Sequence, residues 1–277
     1  MQRVRLPCGE TLAALGQGTW NMGESSAHRA EELATLRLGL DLGMTLIDTA
    51  EMYGEGRAEL LVGEAIAGRR DEAFIVSKVY PHNATRKGTI SACERSLKRL
   101  NTERIDLYLL HWRGEVALED TIEAFTALKR AGKIRHFGVS NFDTADMRDW
   151  WAIEAGHALA TNQVLYNLGR RGVEWDLLPW MRSHSIPVMA YSPIEQARLL
   201  RNPRLEGFAR ERAVTPTQAA LSWLLAQNDV IAIPKTRHRD RLRENAAALE
   251  HRLTTAQLQE LDRLFAPPSG PSALAML

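Results

Sequence analysis

Short apolar or β-branched runs recur along the chain, each closing on a polar or glycine-containing cluster: LAALGQGTW, MTLIDTA, AFIVSKV, IDLYLLHW, IRHFGVSN, ALATNQVLY, IPVMAYSP and VIAIPKT. Their closing positions are Gly18, Asp48, Lys78, His111, Ser140, Gln163, Tyr191 and Lys235, separated by 23 to 33 residues until a last step of 44. About 30 residues is the length of one strand–helix–strand unit. The intervening stretches carry helical spacing. In SACERSLKRLN, Cys93, Leu97 and Leu100 share a face that Glu94, Arg95, Lys98 and Arg99 avoid. HRAEELATLRLGLDLG does the same with Leu33, Leu36 and Leu40, and Gly43 is placed to end that helix in a left-handed conformation. DTIEAFTALKRAGK repeats the pattern with Ile122, Phe125 and Leu128.

Near-continuous apolar strands alternating with helices imply a parallel sheet covered on its faces. Eight such units predict an α/β fold of the (β/α)₈ TIM-barrel type rather than an open sheet. The long last interval holds two helical patterns, RLEGFARERA and TPTQAALSWLLAQ, and LTTAQLQELDRLF follows the eighth unit, so two extra helices are expected. RVRLPCGETLAA, with Gly9 at its turn, reads as a hairpin closing the bottom of the barrel, and the tail APPSGPSALAML as a mostly irregular flap. No linker or repeat divides residues 1–277, and a single domain is expected.

Composition narrows the partners. Thirty-five basic against 34 acidic residues leave a formal charge of +1, which draws the chain neither to nucleic acid nor to an anionic membrane. Two cysteines, Cys8 and Cys93, support no disulfide framework or thiolate metal site. No apolar run is long enough to span a membrane or form a secretory leader. A cytoplasmic protein acting on a small molecule is expected, with a monomer the simplest assembly.

In a barrel of this type functional residues gather where the strands end, so the closing clusters face one mouth. Taken singly, Asp48 could cap a helix, Tyr53 could be a packing residue, Lys78 could snorkel to water and His111 could sit hydrogen-bonded on the rim. Taken together they suit reduction of a carbonyl. A phenol is a poor acid at neutral pH, but an ammonium beside it favours phenolate and should bring its pKa down. Lys78 would supply that charge, Asp48 would hold Lys78, and His111 would donate a hydrogen bond to the substrate oxygen while Tyr53 delivers the proton. The hydride must come from a cofactor.

At these residues the chain resembles the aldo-keto reductases, in particular small bacterial aldehyde and 2-oxoaldehyde reductases. LIDTAEMYGEG, SKV, LHW, VSNF, TNQVLY, AYSP and IPKTRHRDRLREN follow one another in that family's order, from about Gly16 to Asn245. The resemblance implies a (β/α)₈ barrel, a catalytic tetrad of Asp48, Tyr53, Lys78 and His111, and NADPH as cofactor. It implies further that Ser140, Asn141 and Gln163 hold the nicotinamide carboxamide and that Tyr191 stacks beneath the ring. Gly18, Thr19, Asp48, Ser192, Pro193 and Ile194 join the cofactor-binding set. Lys235, Thr236 and Arg241 would meet the adenosine ribose and its 2′-phosphate, with Glu244 and Asn245 on the adenine. A lysine plus an arginine suits a dianionic phosphate, which favours NADPH over NADH. Arg237, Arg239 and Arg243 could instead pair among the acids of a solvated helix face.

The segment YSPIEQARLL departs from the family: it lacks a glycine and puts Glu195 where pyrophosphate contacts are expected. A short segment after LHW and a brief tail imply a shallow, open pocket with Trp20 and Trp112 as aromatic walls, suited to small carbonyls such as α-oxoaldehydes or sugar-like ketones. Two other functions compete. A metal-dependent barrel hydrolase needs several ligands, and neither an HxH nor an HExxH pair is present, so no metal is expected. A cofactor-bound, non-catalytic accessory subunit of the same fold is the alternative from another class.

Overall fold

The computed structural model describes residues 2–277. A two-stranded antiparallel hairpin opens the chain, β1 (Arg3–Arg5) against β2 (Thr11–Ala13), with Gly9 at φ 92° in the turn. Eight parallel strands follow, each hydrogen-bonded to the next: β3 (Gln17–Gly18), β4 (Leu46–Asp48), β5 (Phe74–Val79), β6 (Ile105–Leu110), β7 (Ile134–Ser140), β8 (Leu159–Leu165), β9 (Val188–Tyr191) and β10 (Val230–Ala232). The sheet closes on itself through Gly16 N–H to the Ala232 carbonyl at 2.9 Å, Ala232 N–H to Ala14 at 2.8 Å and Gly18 N–H to Pro234 at 3.0 Å. This is the expected (β/α)₈ barrel, and closure leaves no strand edge exposed.

The crossover helices are α1 (Ser26–Asp41), α2 (Arg57–Ala65), α3 (Arg86–Leu100), α4 (Leu118–Arg130), α5 (Thr144–Trp151) and α6 (Leu177–Ser183). Between β9 and β10 lie α7 (Pro203–Arg210) and α8 (Pro216–Leu225), and after β10 lie α9 (Arg239–Ala247) and α10 (Thr255–Leu264), which accounts for the two extra helices. Leu36 and Leu40 of α1, Cys93, Leu97 and Leu100 of α3, and Ile122, Phe125 and Leu128 of α4 are all buried, as their spacing requires. Gly43 ends α1 at φ 81°, its N–H bonded to Leu40 and that of Met44 to Gly39, the paired bonds of a Schellman stop.

One run is divided differently from the sequence reading. LAALGQGTW is not one strand: Leu12 and Ala13 belong to the hairpin, whereas Gln17 and Gly18 form the first barrel strand and Leu15 bridges Ala232 where the barrel closes. The hairpin lies under the barrel, its Glu10 bonded to Arg135 and His136 near the start of β7. Strand alternation then decides which side chains face inward. On β5, Ser77 donates outward to Glu59 of α2 at 2.6 Å, so its neighbour Lys78 faces the barrel interior near the strand's end.

Candidate active site

Asp48 is the last residue of β4, Lys78 the penultimate residue of β5, and His111 directly follows β6. Tyr53 lies in the loop after β4, at the start of a short 3₁₀ turn whose Gly54, Glu55 and Gly56 all have positive φ. That left-handed run folds the loop back over the mouth. The Lys78 ammonium is fully buried and all three of its protons have partners: Asp48 at 2.8 to 2.9 Å, the Thr49 carbonyl at 2.9 Å and the Tyr53 hydroxyl at 3.0 Å. Gln163 of β8 donates to Asp48 Oδ1, which Lys78 also approaches, at 2.7 Å, and Thr19 donates to the Asp48 backbone carbonyl at 2.9 Å. An acid at the tip of an apolar strand is tolerated because both carboxylate oxygens meet the Lys78 ammonium and Oδ1 also accepts from Gln163.

The electrostatics differ from the sequence expectation in one respect. Burial first, and then the negative charge of Asp48, hold the Tyr53 phenol above its ordinary value rather than below it. The reason is that Lys78 is already neutralised by Asp48, which leaves little net positive charge to stabilise a phenolate. Burial also pulls the Lys78 ammonium below the usual lysine value, although Asp48 works against it. His111 lies edge-on to Tyr53, ring centroids 5.9 Å apart, and burial together with Lys78 pushes its imidazole down to about 2. It is therefore neutral at working pH, and its buried Nδ1 has no partner.

These groups open on a cleft of about 860 Å³, which is lined by Gly18, Thr19, Asp48, Tyr53 and His111 on one side and by Ser140, Asn141 and Gln163 at its floor. Ser140 donates to the Gln163 carbonyl at 2.8 Å. Asn141, at φ 56°, receives the Tyr191 hydroxyl at 3.0 Å and donates to the His111 carbonyl at 3.2 Å, so the amide and the aromatic ring hold each other in place. Ser192, Pro193 and Ile194 continue the wall after β9, and Lys235, Thr236, Arg241, Glu244 and Asn245 line the far end. Among the described residues neither Lys235 nor Arg241 is ion-paired, whereas Arg237 meets Glu31 at 3.7 Å and Arg243 meets Asp240 at 3.1 Å. Arg243 thus pairs within its own helix, whereas Arg237 precedes α9 and meets an acid of α1, and two cations are left without an acidic partner at the cleft. A second groove, of about 920 Å³, lies between α8 and α9 and contains none of these residues.

Two expectations about the walls are corrected. Trp20 lines the cleft, but Trp112 is not among its lining residues: it lies 5.0 Å from His111 and edge-on to Tyr80 at 5.9 Å. The tail was expected to leave the pocket open, yet Leu277 comes back to line its wall. Glu195 is not among the residues that line the cleft. It is buried, accepting from Asn167 at 2.8 Å and Arg170 at 2.9 Å, and it begins a run of three left-handed residues with Gln196 and Ala197. Gln196, Ala197 and Arg201 then line the cleft. Sequence reasoning missed this clasp, since Asn167 and Arg170 carry no strand-end signal; Arg201 was detectable only as a basic residue in the long interval.

Residues 14–266 match the Aldo/keto reductase family. The chain is 50% identical over 272 residues to methylglyoxal reductase YeaE of Escherichia coli K12, covering 96% of each, and 30% identical to glyoxal reductase of Bacillus subtilis, covering 94% and 92%. A crystal structure of an aldo/keto reductase from Klebsiella pneumoniae in complex with NADP and acetate superposes with a TM-score of 0.97 at 48% identity, covering 99% of both chains. A second from the same organism, in complex with NADPH, gives 0.97 at 47%, covering 100% and 99%. With its closed barrel and strand-end cleft, the chain belongs to the aldo/keto reductase family and is an NADPH-dependent oxidoreductase.

Proposed function

We propose that the chain reduces small aldehydes and ketones, α-oxoaldehydes foremost, with Tyr53 as the proton donor. One observation carries this reading: the buried Lys78 ammonium bonds Tyr53 and Asp48 at once, and those two side chains line one cleft with a neutral His111. NADPH bound in the cleft supplies the hydride. The protein's own groups manage the oxygen and the proton. The residues fit the cofactor. Tyr191 offers an aromatic shelf, Ser140, Asn141 and Gln163 offer fixed amide partners, and the unpaired Lys235 and Arg241 suit a phosphate.

His111 is too weak a base to carry a transferable proton at neutral pH, so its role is to donate one N–H to the carbonyl oxygen and orient it. Tyr53, held protonated, is the acid that remains. As its proton leaves, the Lys78 bond at 3.0 Å strengthens against the developing phenolate, and Asp48 keeps the ammonium in place. Relatives named for methylglyoxal and glyoxal, and a wall that brings Leu277 and Trp20 close, favour short substrates.

Tyr53→Phe tests the assignment. It should abolish turnover of methylglyoxal while leaving NADPH affinity within about twofold, because the ring stays and only the hydroxyl is lost. A variant retaining most of its activity would refute the acid, and one that no longer binds NADPH would show that the hydroxyl serves the cofactor instead.

A further inference from the structure

The end of the barrel opposite the cleft carries a second constellation of reactive groups. Cys8, in the turn between β1 and β2, is exposed, and its sulfur lies 3.8 Å from Nδ1 of His136 on β7. The other ring nitrogen, Nε2, lies 2.7 Å from a Glu10 oxygen. Glu10 is in turn held by Arg135, which donates to both of its oxygens at 2.8 Å. Phe74 stacks on the imidazole, 6.4 Å between centroids at 17°. The ring is therefore held from two sides before the thiol is considered. With Glu10 accepting at Nε2, that nitrogen carries the hydrogen and Nδ1 is left as an acceptor facing the sulfur.

We propose that Cys8, His136 and Glu10 form a thiol–imidazole–carboxylate relay that makes Cys8 a covalent modification site for small carbon electrophiles. The order is that of an activated nucleophile: a thiol beside a base, and a base oriented by an acid. Burial works to raise the Glu10 carboxyl, but the bonds from His136 and Arg135 outweigh it and hold it below the usual carboxylate range, in the form that stabilises an imidazolium. Cys8 passes its proton to Nδ1 as the sulfur attacks carbon. With an aldehyde, the C–S bond forms, the carbonyl π pair moves to oxygen, and that oxygen takes the proton back from the ring, giving a hemithioacetal with no redox change. With an alkyl iodide, the C–I bond breaks, iodide leaves and the proton stays on the imidazole.

The same three side chains lie within 4.8 Å of one another, which invites a metal reading. The thiol and the carboxylate, however, sit on different nitrogens of the ring, and Arg135 occupies both carboxylate oxygens. A proton relay fits that arrangement better than a shared ion. His136 precedes Ser140 by four residues on β7, about 13 Å along a strand, so the modified thiol stays clear of the cleft. Cys93 is an internal control, because it is buried and its thiol is pushed up to about 12.

Iodoacetamide at neutral pH, added to the intact protein and read site by site by peptide mass spectrometry, is the test. A free thiol is only a few per cent ionised at pH 7, and nucleophilicity falls as ionisation rises. Cys8 should therefore react about three- to tenfold faster than free cysteine, with Cys93 silent. His136→Asn should return Cys8 to the free-cysteine rate or below. Glu10→Gln, which keeps an acceptor but removes its charge, should slow it less, and carbonyl turnover should persist in both variants as the check on folding. A Cys8 rate no higher than that of free cysteine, or unchanged in both variants, overturns the relay. So does a metal-free protein with no rate advantage whose Cys8 is protected by one equivalent of Zn²⁺, which would make the cluster a metal site.

Discussion

His111 shows how one side chain can serve chemistry at a cost in acid. Its imidazole is held at about 2 by burial and by the Lys78 charge, while an unfolded histidine sits near 6.5. The unfolded chain thus binds the proton first. Stability from this group is complete above about pH 6.5 and falls as pH drops toward 2, by about 1.4 kcal/mol per pH unit. Urea unfolding at pH 6.5 and pH 5.0 should therefore show the native protein losing about 1.6 kcal/mol more than His111→Gln; equal losses would mean that the ring is protonated in the folded state. The tetrad positions themselves were legible, because a titratable residue at the end of an apolar strand needs partners and the neighbouring strand ends supply them. What escaped was the balance among them. The expected lowering of the Tyr53 phenol assumed a free ammonium, and only the distances show that Asp48 has already claimed it. Trp112 escaped for a related reason, since adjacency to His111 in sequence does not say on which side of the strand end a ring will pack.

Among the elements, α2 and the loop after β9 carry the sharpest constraints. Gly63 of α2 faces the end of α3 so closely that an added Cβ would lie 2.6 Å from the Leu100 carbonyl oxygen and 2.7 Å from its carbon. Gly63→Ala gains about 1 kcal/mol of helix propensity, but backbone cannot yield as a side-chain tip does, and overpacking of this kind costs about 1–3 kcal/mol. A net loss of stability is expected in thermal unfolding, and a gain would show that α2 and α3 can part. The loop after β9 holds three consecutive non-glycine residues, Glu195, Gln196 and Ala197, in the left-handed region, a conformation that persists only when its surroundings impose it. The bonds from Arg170 and Asn167 to Glu195 are that imposition. Glu195→Ala should release the loop and, since Gln196, Ala197 and Arg201 line the cleft, weaken NADPH measurably in a fluorescence titration; unchanged affinity would divorce the clasp from the cofactor. The repeat length exposed the strands and helices to sequence reading. The clasp stayed hidden because it joins residues 25 and 28 positions apart across two loops.

Across the whole molecule, most charges near the barrel ends are paired. Beneath the barrel, Asp106 binds Arg70 at 2.7 Å and Arg135 at 3.2 Å, and Arg135 continues to Glu10. At the mouth, Lys235 and Arg241 are without acidic partners among the described residues, although the chain as a whole carries only +1. Net charge therefore says little about the cofactor; local imbalance says more, because exposed charges more than about 10 Å apart are screened at 0.1 M salt. Two unpaired cations at one end of a cleft attract a dianion, and the group that distinguishes NADPH from NADH is a phosphate. A hydrogen bond to a charged group is worth about 1.5–3 kcal/mol. Lys235→Ala or Arg241→Ala should accordingly raise the Kd for NADPH by about 10- to 100-fold, with NADH moved by less than about threefold, since it offers these side chains no phosphate to lose. Raising the salt concentration should erode the native preference for NADPH and leave that of the double variant nearly flat. Equal weakening of both cofactors would place the two side chains on a part of the dinucleotide common to both, and the preference would then have to arise from Thr236 or from the backbone beyond β10.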